Sequence, residues 1–189
     1  MKKADLLITT GNYRPDIGGP ATFLKGFEKY LLENKIKYIL IAVVNQDEIV
    51  NKENNIILIS RRIPFLIRTI FTTALFIYFR FKCKYWLSNT LEIETIITKL
   101  VTFQSVTGRI VGDRAWETAV NRGLTEANIN DFQNLRNNFK IYMLKFLRNF
   151  HHFILDRSIV PSQYMKNLTS KWSRTKISLI YNGIEDKSK

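Results

Sequence analysis

Short apolar runs alternate with amphipathic segments along most of the chain. The first two runs are DLLITT (5–10) and KYILIAVV (37–44), and PATFLKGFEKYLLENK (20–35) between them has apolar residues at helical spacing. A strand, a helix and a strand of this length form a parallel βαβ unit. The alternation continues, with further strands predicted at 55–60, 84–89, 108–113, 157–162 and 176–183, and further helices at 90–101, 114–123, 131–155 and 163–171. This pattern predicts an α/β fold with a doubly wound parallel sheet.

The composition is that of one globular domain in a reducing compartment. The chain has 189 residues, of which 46% are hydrophobic and 24% charged, so it can bury a core. Its single cysteine, Cys83, cannot form an intramolecular disulfide. The opening MKKADLLITT has a short apolar run interrupted by Asp5, which predicts a first strand and not a signal peptide. We therefore expect a cytoplasmic protein.

The formal net charge of +13 favours an anionic partner. Nucleic acid, a phosphorylated substrate and an anionic membrane surface all satisfy this requirement. The sequence has no recognisable motif that reads RNA or DNA, which argues against nucleic acid.

Residues 61–86 carry six basic residues and no acid. The apolar run within them, TIFTTALFIYF, is far shorter than the roughly 20 residues needed to span a bilayer. One interpretation is a helix on the inner face of the membrane, with the basic residues facing anionic lipid. The other is a crossover helix packed on the sheet, with the basic residues solvated. The candidate membrane-facing residues are Arg61, Arg62, Arg68, Arg80, Lys82 and Lys84.

Residues 139–157 have a similar composition and include the adjacent pair His151 and His152. Adjacent helical residues point about 100° apart, so the two imidazoles cannot chelate one metal ion together. We expect them to be surface or core residues, and no metal site is predicted.

Two loops are candidate ligand sites because each follows a predicted strand. In the first, Gly18 and Gly19 precede a helix that starts near Pro20, so they form either a tight turn or a close approach to an anion. In the second, IVGDRAWETAVNRG (110–123), Asp113 can cap the following helix or act on a ligand. Ser162 is a further predicted helix cap.

Several segments, taken in order, resemble one enzyme family. They are YRPDIGGPATFLKGFEKYL, RIVGDRAWETAVNRG, INDFQ (129–133), IVPSQYMKNL and KISLIYNGIE. Together they are similar to the N-terminal, acceptor-side half of family 4 (group 1) glycosyltransferases, which have the GT-B fold. The resemblance implies one Rossmann-like domain over residues 4–185, followed by a polar tail at 186–189.

The resemblance also implies roles for the loop residues. Gly18 and Gly19 would face the phosphate of a nucleotide-sugar donor. Asp113 would orient an acceptor hydroxyl or stabilise a positively charged, sugar-like transition state. The residues implied to line the cleft are Gly112, Arg114, Glu117 and Ser162. The reaction would be a hexosyl transfer that retains the anomeric configuration, with no metal and no cofactor besides the nucleotide-sugar co-substrate.

The sequence departs from the family after Glu185, where the family has a second, donor-binding domain with paired glutamates. We therefore expect the chain alone to be inactive, or to act with a separately encoded donor domain. The acceptor would be a lipid-linked glycan or a polysaccharide of the cell envelope. The alternative function is a non-catalytic module, derived from such an enzyme, that docks on a membrane or a partner.

Overall fold

The computed structural model describes residues 4–16, 18–136 and 138–183. It contains one eight-stranded sheet in the order β3-β4-β2-β1-β5-β6-β7-β8. The strands are β1 (Ala4–Thr10), β2 (Tyr38–Val44), β3 (Val50–Glu53), β4 (Ile56–Ser60), β5 (Cys83–Ser88), β6 (Thr107–Arg109), β7 (Arg157–Val160) and β8 (Lys176–Leu179). All pairs are parallel except β3 with β4. The order reverses between β1 and β5, which makes the edge above these two strands the topological switch point.

Helices cover both faces of the sheet. They are α1 (Gly19–Glu33), α2 (Phe65–Arg80), α3 (Glu92–Thr102), α4 (Arg114–Asn121), α5 (Ile129–Phe132), α6 (Phe139–Ile154) and α7 (Gln163–Thr169). Because side chains alternate along a strand, β2 feeds two cores. Leu40 packs with Leu24 of α1, whereas Ile41 belongs to the core that contains Phe76 of α2. On this second face α2 packs against α3, and α3 packs against α6.

The predicted α/β class and the parallel sheet are confirmed, and α2 is the crossover helix that joins β4 to β5. Three details differ from the prediction. The antiparallel strand β3 was not predicted, β6 ends at Arg109, and the segment 131–155 is not one helix. Helix α6 begins only after Asn138, because that side chain accepts hydrogen bonds from the backbone N–H groups of Lys140 and Ile141. The predicted domain end at 185 and the tail at 186–189 lie outside the described residues.

Candidate functional site

A cavity of about 820 Å³ opens at the carboxyl ends of the strands. It lies at the switch point, where Gly11 after β1 donates its backbone N–H to Oγ1 of Thr90 after β5. Its walls come from the loops after β1, β4, β5, β6, β7 and β8. The polar and charged lining residues are Asn12, Arg61, Arg68, Ser88, Thr90, Glu92, Arg109, Arg114, Glu117, His151, His152 and Asn182. This edge of an α/β sheet is where ligands bind in such folds.

The structure brings most of the predicted cleft residues to this cavity. Gly19, Gly112, Arg114 and Glu117 line it. Gly18 is the N-cap of α1 with φ of 147°, a backbone conformation that favours glycine. Ser162 does not line it; its Oγ accepts a hydrogen bond from the backbone N–H of Met165 at 3.1 Å, which confirms the predicted cap.

Two of the candidate membrane-facing arginines, Arg61 and Arg68, line the wall of this cavity. Nη2 of Arg61 donates to the carbonyl oxygens of Gly11 at 2.6 Å and Val43 at 3.2 Å, and to Oδ2 of Asp16 at 3.0 Å. Arg68 in turn donates to the carbonyl of Arg61 at 2.8 Å. These hydrogen bonds hold both guanidinium groups at the cavity wall, and for Arg61 and Arg68 the membrane-facing assignment stays a prediction.

The membrane-facing prediction is wrong for Arg80, which is 2% exposed and cannot face a membrane. Its guanidinium donates to the carbonyls of Cys83 at 2.8 Å and Ser105 at 3.3 Å, and burial lowers the pKa of the group. The exposed side chain of Arg62 pairs with Asp47 at 2.6 Å. Lys82 and Lys84 lie over the rings of Tyr78 and Tyr85.

Asp113 is fully buried behind the cavity. Its Oδ1 accepts hydrogen bonds from the backbone N–H groups of Ala115 at 3.0 Å and Trp116 at 3.3 Å, so the predicted cap of α4 is confirmed. Its Oδ2 lies 2.6 Å from Nη1 of Arg148 and accepts from Nε2 of Gln133 at 2.8 Å. With both oxygens engaged at 0% exposure, Asp113 could touch a substrate only if these bonds rearranged.

Arg148 was not anticipated from the sequence. It is 4% exposed, lies 4.0 Å from the centre of the Trp172 ring, and donates to Oε1 of Gln133 at 3.1 Å. Burial lowers its pKa, while the neighbouring Asp113 raises it. The charge is thus held inside the fold by the carboxylate of Asp113, the side-chain amides of Gln133 and Asn149, and one aromatic face.

Glu92, the first residue of α3, is the carboxyl whose chemistry most suits a reacting site. It lines the cavity, and burial raises its pKa from 4.5 to about 7. Arg114 opposes this shift, whereas the acidic side chains of Asp113 and Glu117 add to it. Such a group exchanges its proton near neutral pH. The sequence shows Glu92 only as an acid in a helical first turn, which is a common helix-stabilising position.

Arg109 also lines the cavity. Its guanidinium carbon lies 3.7 Å from the centre of the Phe23 ring, and it donates to Oδ1 of Asn89 at 3.0 Å and of Asn182 at 2.8 Å. Burial lowers its pKa to about 10, so the group stays charged at neutral pH. Its contact with Asn182 joins β6 to the chain after β8.

The histidine pair lies in the core, which is one of the two placements, surface or core, expected from the sequence. His151 and His152 are 3% and 2% exposed, and both line the cavity. Burial lowers their pKa values to about 4 and about 3, so both imidazoles are neutral at pH 7. Both ring nitrogens of His151 lack a hydrogen-bond partner among the described residues. Across 4–16, 18–136 and 138–183, no group of three His, Cys, Asp or Glu residues could hold a metal ion.

No protein-family model matches the chain, and no curated protein matches it. Solved structures do resemble it. UGT2 of Phytolacca americana, complexed with UDP-2fluoro-glucose and pterostilbene, has a TM-score of 0.53 at 8% identity, over 98% of this chain and 55% of that one. A UDP-glucosyltransferase from Polygonum tinctorium capable of glucosylating indoxyl, in complex with 3,4-dichloroaniline, has a TM-score of 0.52 at 10% identity, over 99% of this chain and 55% of that one.

These likenesses establish the fold. The chain has the Rossmann-like architecture of one half of a GT-B glycosyltransferase, and it spans about half the length of the structures it matches. The narrower resemblance to family 4 stays a prediction.

Proposed function

We propose that the chain is the acceptor-side half of a glycosyltransferase that moves a sugar from a nucleotide-sugar to a lipid-linked or polysaccharide acceptor. The observation that carries this proposal is the cavity at the switch point, where arginines and two carboxylates converge. The fold supports it, and so does the Phytolacca americana structure, which is complexed with UDP-2fluoro-glucose and pterostilbene.

The donor's diphosphate would approach the amino end of α1. The backbone N–H groups in the first turn of a helix have no partner within the helix, and the helix dipole favours an anion there. Gly19 carries no side chain to block that approach, since a Cβ built on it meets nothing within 4 Å. Arg114 extends the positive field along the same cavity.

The acceptor hydroxyl would be oriented by Glu92, whose ionised carboxylate can accept its hydrogen bond. Asp113 would position this site indirectly by holding the start of α4, which carries Arg114 and Glu117. The family 4 resemblance further implies retention of anomeric configuration without a metal. Proton NMR of the product's anomeric signal would test retention.

Transfer would require a donor-binding domain opposite the cavity, because a GT-B enzyme holds its two substrates together in a closed cleft. The test is to assay the purified chain with a panel of nucleotide-sugars and acceptors, alone and mixed with any donor-type Rossmann domain encoded beside it. We expect transfer only in the mixture. Transfer by residues 1–189 alone would contradict the need for a second domain, and no transfer in any mixture would contradict the function.

Arg114→Ala should reduce that transfer, and Arg122→Ala provides a matched control. Both arginines belong to the α4 region, but only Arg114 lines the cavity, while Arg122 follows the far end of the helix. Loss of a hydrogen bond or ion pair to a charged substrate group corresponds to about 10- to 100-fold in rate. Equal activity of the two variants would remove Arg114 from the site.

Glu92→Gln should lower the transfer rate by about 10- to 100-fold and abolish its dependence on pH near 7. The wild-type rate should rise as pH increases through about 7, where the carboxyl ionises, and then level off. Glu126→Gln, at an exposed carboxyl outside the cavity, is the control. A wild-type profile that is flat between pH 6 and 8 would show that Glu92 is not the titrating group.

The same variant has a readout that needs no substrate. A carboxyl whose pKa is higher in the folded protein than in the unfolded chain destabilises the fold as pH rises from about 4.5 to about 7. Glu92→Gln should therefore be more stable than wild type at pH 8, by about 1–3 kcal/mol, and no more stable at pH 4. Urea unfolding at both pH values measures this difference.

Gly112→Ala should impair sugar transfer by displacing the side chain of Glu117, and it should leave the fold intact. A Cβ at Gly112 would lie 2.3 Å from Oε1 of Glu117, the end of a flexible side chain, so that carboxylate must move. Stability should change by less than about 0.5 kcal/mol. Gly26→Ala is the control, since a Cβ there meets nothing within 4 Å. If Gly112→Ala lowers the rate further in a Glu117→Ala background, its effect does not pass through Glu117.

A further inference from the structure

The first half of helix α2 presents apolar side chains outward and polar side chains inward, whereas Phe76 and Phe79 of its second half are buried in the core. Thr69 and Thr72 are 7% and 0% exposed, whereas Leu66 and Ile70 are 73% and 71% exposed. A helix that covers a sheet in water has the opposite arrangement, with its apolar stripe against the core. The buried threonines face α3, where Oγ1 of Thr69 donates to Oε1 of Glu94 at 3.1 Å.

Helices α3 and α6 share this inversion. In α3, Thr95 and Thr98 are fully buried, while Val101 is 55% exposed. In α6, His151 is buried and Phe146 is 53% exposed. Because α2 packs on α3 and α3 on α6, their outward sides form one surface, which we call the outer helical face.

Helix α1, on the opposite side of the sheet, is the internal comparison. It buries Leu24 and Leu31 and directs Lys25, Lys29 and Glu33 to solvent, with only Tyr30 and Leu32 as large exposed apolar side chains. The inversion is thus a property of one layer and does not result from an apolar composition throughout the chain. A continuous exposed apolar surface of this kind marks a site of interaction with a membrane or another protein.

The residue at the end of α3 adds to this picture. Phe103 is 83% exposed and has φ of 53°, a backbone conformation that bulky residues rarely adopt. Asparagine or glycine would relieve that conformation, and the exposed ring of Phe103 extends the apolar surface at the end of α3.

The charged residues on and around the outer helical face indicate what covers it. The sequence has no acidic residue between Arg61 and Leu91, nor between Phe132 and Leu155. The exposed basic side chains at and beside these helices include Arg62, Lys84 and Lys140, while the exposed acids Asp47 and Asp156 are paired with Arg62 and with Lys99 of α3. An apolar, aromatic-rich surface bordered by cations matches an anionic lipid interface. None of the described helices is both long and apolar enough to cross a membrane.

We propose that the outer helical face of α2, α3 and α6 lies in the interfacial region of an anionic lipid bilayer, with the helices parallel to its plane. The inference concerns a different surface from the cavity and does not depend on the proposed function, since binding to lipid requires no sugar.

Flotation of the full chain with lipid vesicles tests this proposal. Wild type should float with vesicles of phosphatidylcholine and phosphatidylglycerol, and less with phosphatidylcholine alone or in high salt. The double variant Leu66→Gln/Ile70→Gln should bind at least about tenfold more weakly, because the lost apolar contacts lie in the lipid. The matched control, Tyr30→Gln/Leu32→Gln, changes side chains of α1 that are 54% and 66% exposed and should bind like wild type.

Three results would overturn the proposal. They are failure of wild type to float with anionic vesicles, equal flotation of the Leu66/Ile70 variant, and equal loss in the α1 control. Analytical ultracentrifugation distinguishes a second copy as the occupant: a concentration-dependent dimer that the Leu66/Ile70 variant abolishes, without flotation, would assign the face to self-association. Circular dichroism verifies that both double variants fold, as expected for substitutions at exposed positions.

Discussion

Replacement of Asp113 by alanine is expected to lower the free energy of unfolding by about 3–5 kcal/mol. The substitution leaves the guanidinium of Arg148 buried with no carboxylate beside it, since the pair is 2.6 Å apart at 0% and 5% side-chain exposure. It also removes the cap that accepts two backbone N–H groups at the start of α4. This loss would be a large fraction of the stability of an ordinary domain.

Urea unfolding of a small variant set can separate the two contributions. Asp113→Asn keeps a capping oxygen but removes the charge, so it should lie between wild type and Asp113→Ala. Asp113→Ala/Arg148→Met removes both charges and should recover part of the loss, because no buried charge is left unpaired. Asp131→Ala, at an exposed carboxylate in the first turn of α5, is the control and should change stability by less than about 0.5 kcal/mol.

The same variants decide what Asp113 does in the reaction. If Asp113→Ala keeps its stability within about 0.5 kcal/mol of wild type yet abolishes transfer, Asp113 contacts the substrate directly. If stability and activity fall together, and Asp113→Asn preserves much of both, it acts by positioning α4. The geometry favours the second outcome. Both carboxylate oxygens of Asp113 already accept hydrogen bonds, from Arg148, from Gln133 and from the first turn of α4.

Local sequence patterns predicted those features that depend on neighbouring residues. The alternation of strands and helices required only the periodicity of apolar side chains, and it produced the parallel sheet that the structure has. The caps at Asp113 and Ser162 followed from the residue types that accept N–H groups at a helix start. The cavity position followed from the rule that loops after parallel strands share one edge.

The features that were missed depend on pairs far apart in sequence. The partner of Asp113 is Arg148, 35 positions away, and the residues next to either one do not indicate the contact. The sequence indicates a surface cation at Arg80, beside Lys82, yet the residue is buried and donates to the nearby carbonyl of Cys83 and to that of Ser105, 25 positions away. The threonines of α2 could have indicated that its polar side chains face inward. That inference would first have required knowing which side of the helix faces the sheet.

Glu92 illustrates a different limit. Its residue type was visible, but its raised pKa depends on burial and on the balance of Arg114 against Asp113 and Glu117. Those charges come from the loop after β6 and from α4, whereas Glu92 begins α3. A sequence pattern can identify the acid but cannot set its proton affinity, which is a property of the assembled cavity.

Acidification is expected to unfold the protein through His151 and His152. Burial lowers their pKa values in the folded state to about 4 and about 3, from an ordinary value of 6.5. The unfolded chain therefore binds more protons than the folded protein below pH 6.5, and stability is lost as pH falls through that window. The loss is about 3 kcal/mol for each histidine between pH 6.5 and 4.

The surroundings of the pair provide no compensation. His152 lies 5.3 Å from the Trp172 ring, and the neighbouring groups whose positive charge disfavours its protonation are His151 and Arg148. The carboxylate of Asp113 is already paired with that arginine. A protonated imidazole would thus be buried among like charge and aromatic carbon, which strengthens the expected dependence on pH.

Urea unfolding of wild type and His151→Leu/His152→Leu at pH 7, 5.5 and 4 measures the effect. The difference in free energy between the two proteins should change by about 1.4 kcal/mol per pH unit for each histidine below pH 6.5. Glu92, whose raised pKa gives the opposite slope up to about pH 7, is present in both proteins and cancels from that difference. If the two proteins lose stability equally on acidification, the imidazoles carry protons in the folded state, and an anionic group must then reach them from the cavity side.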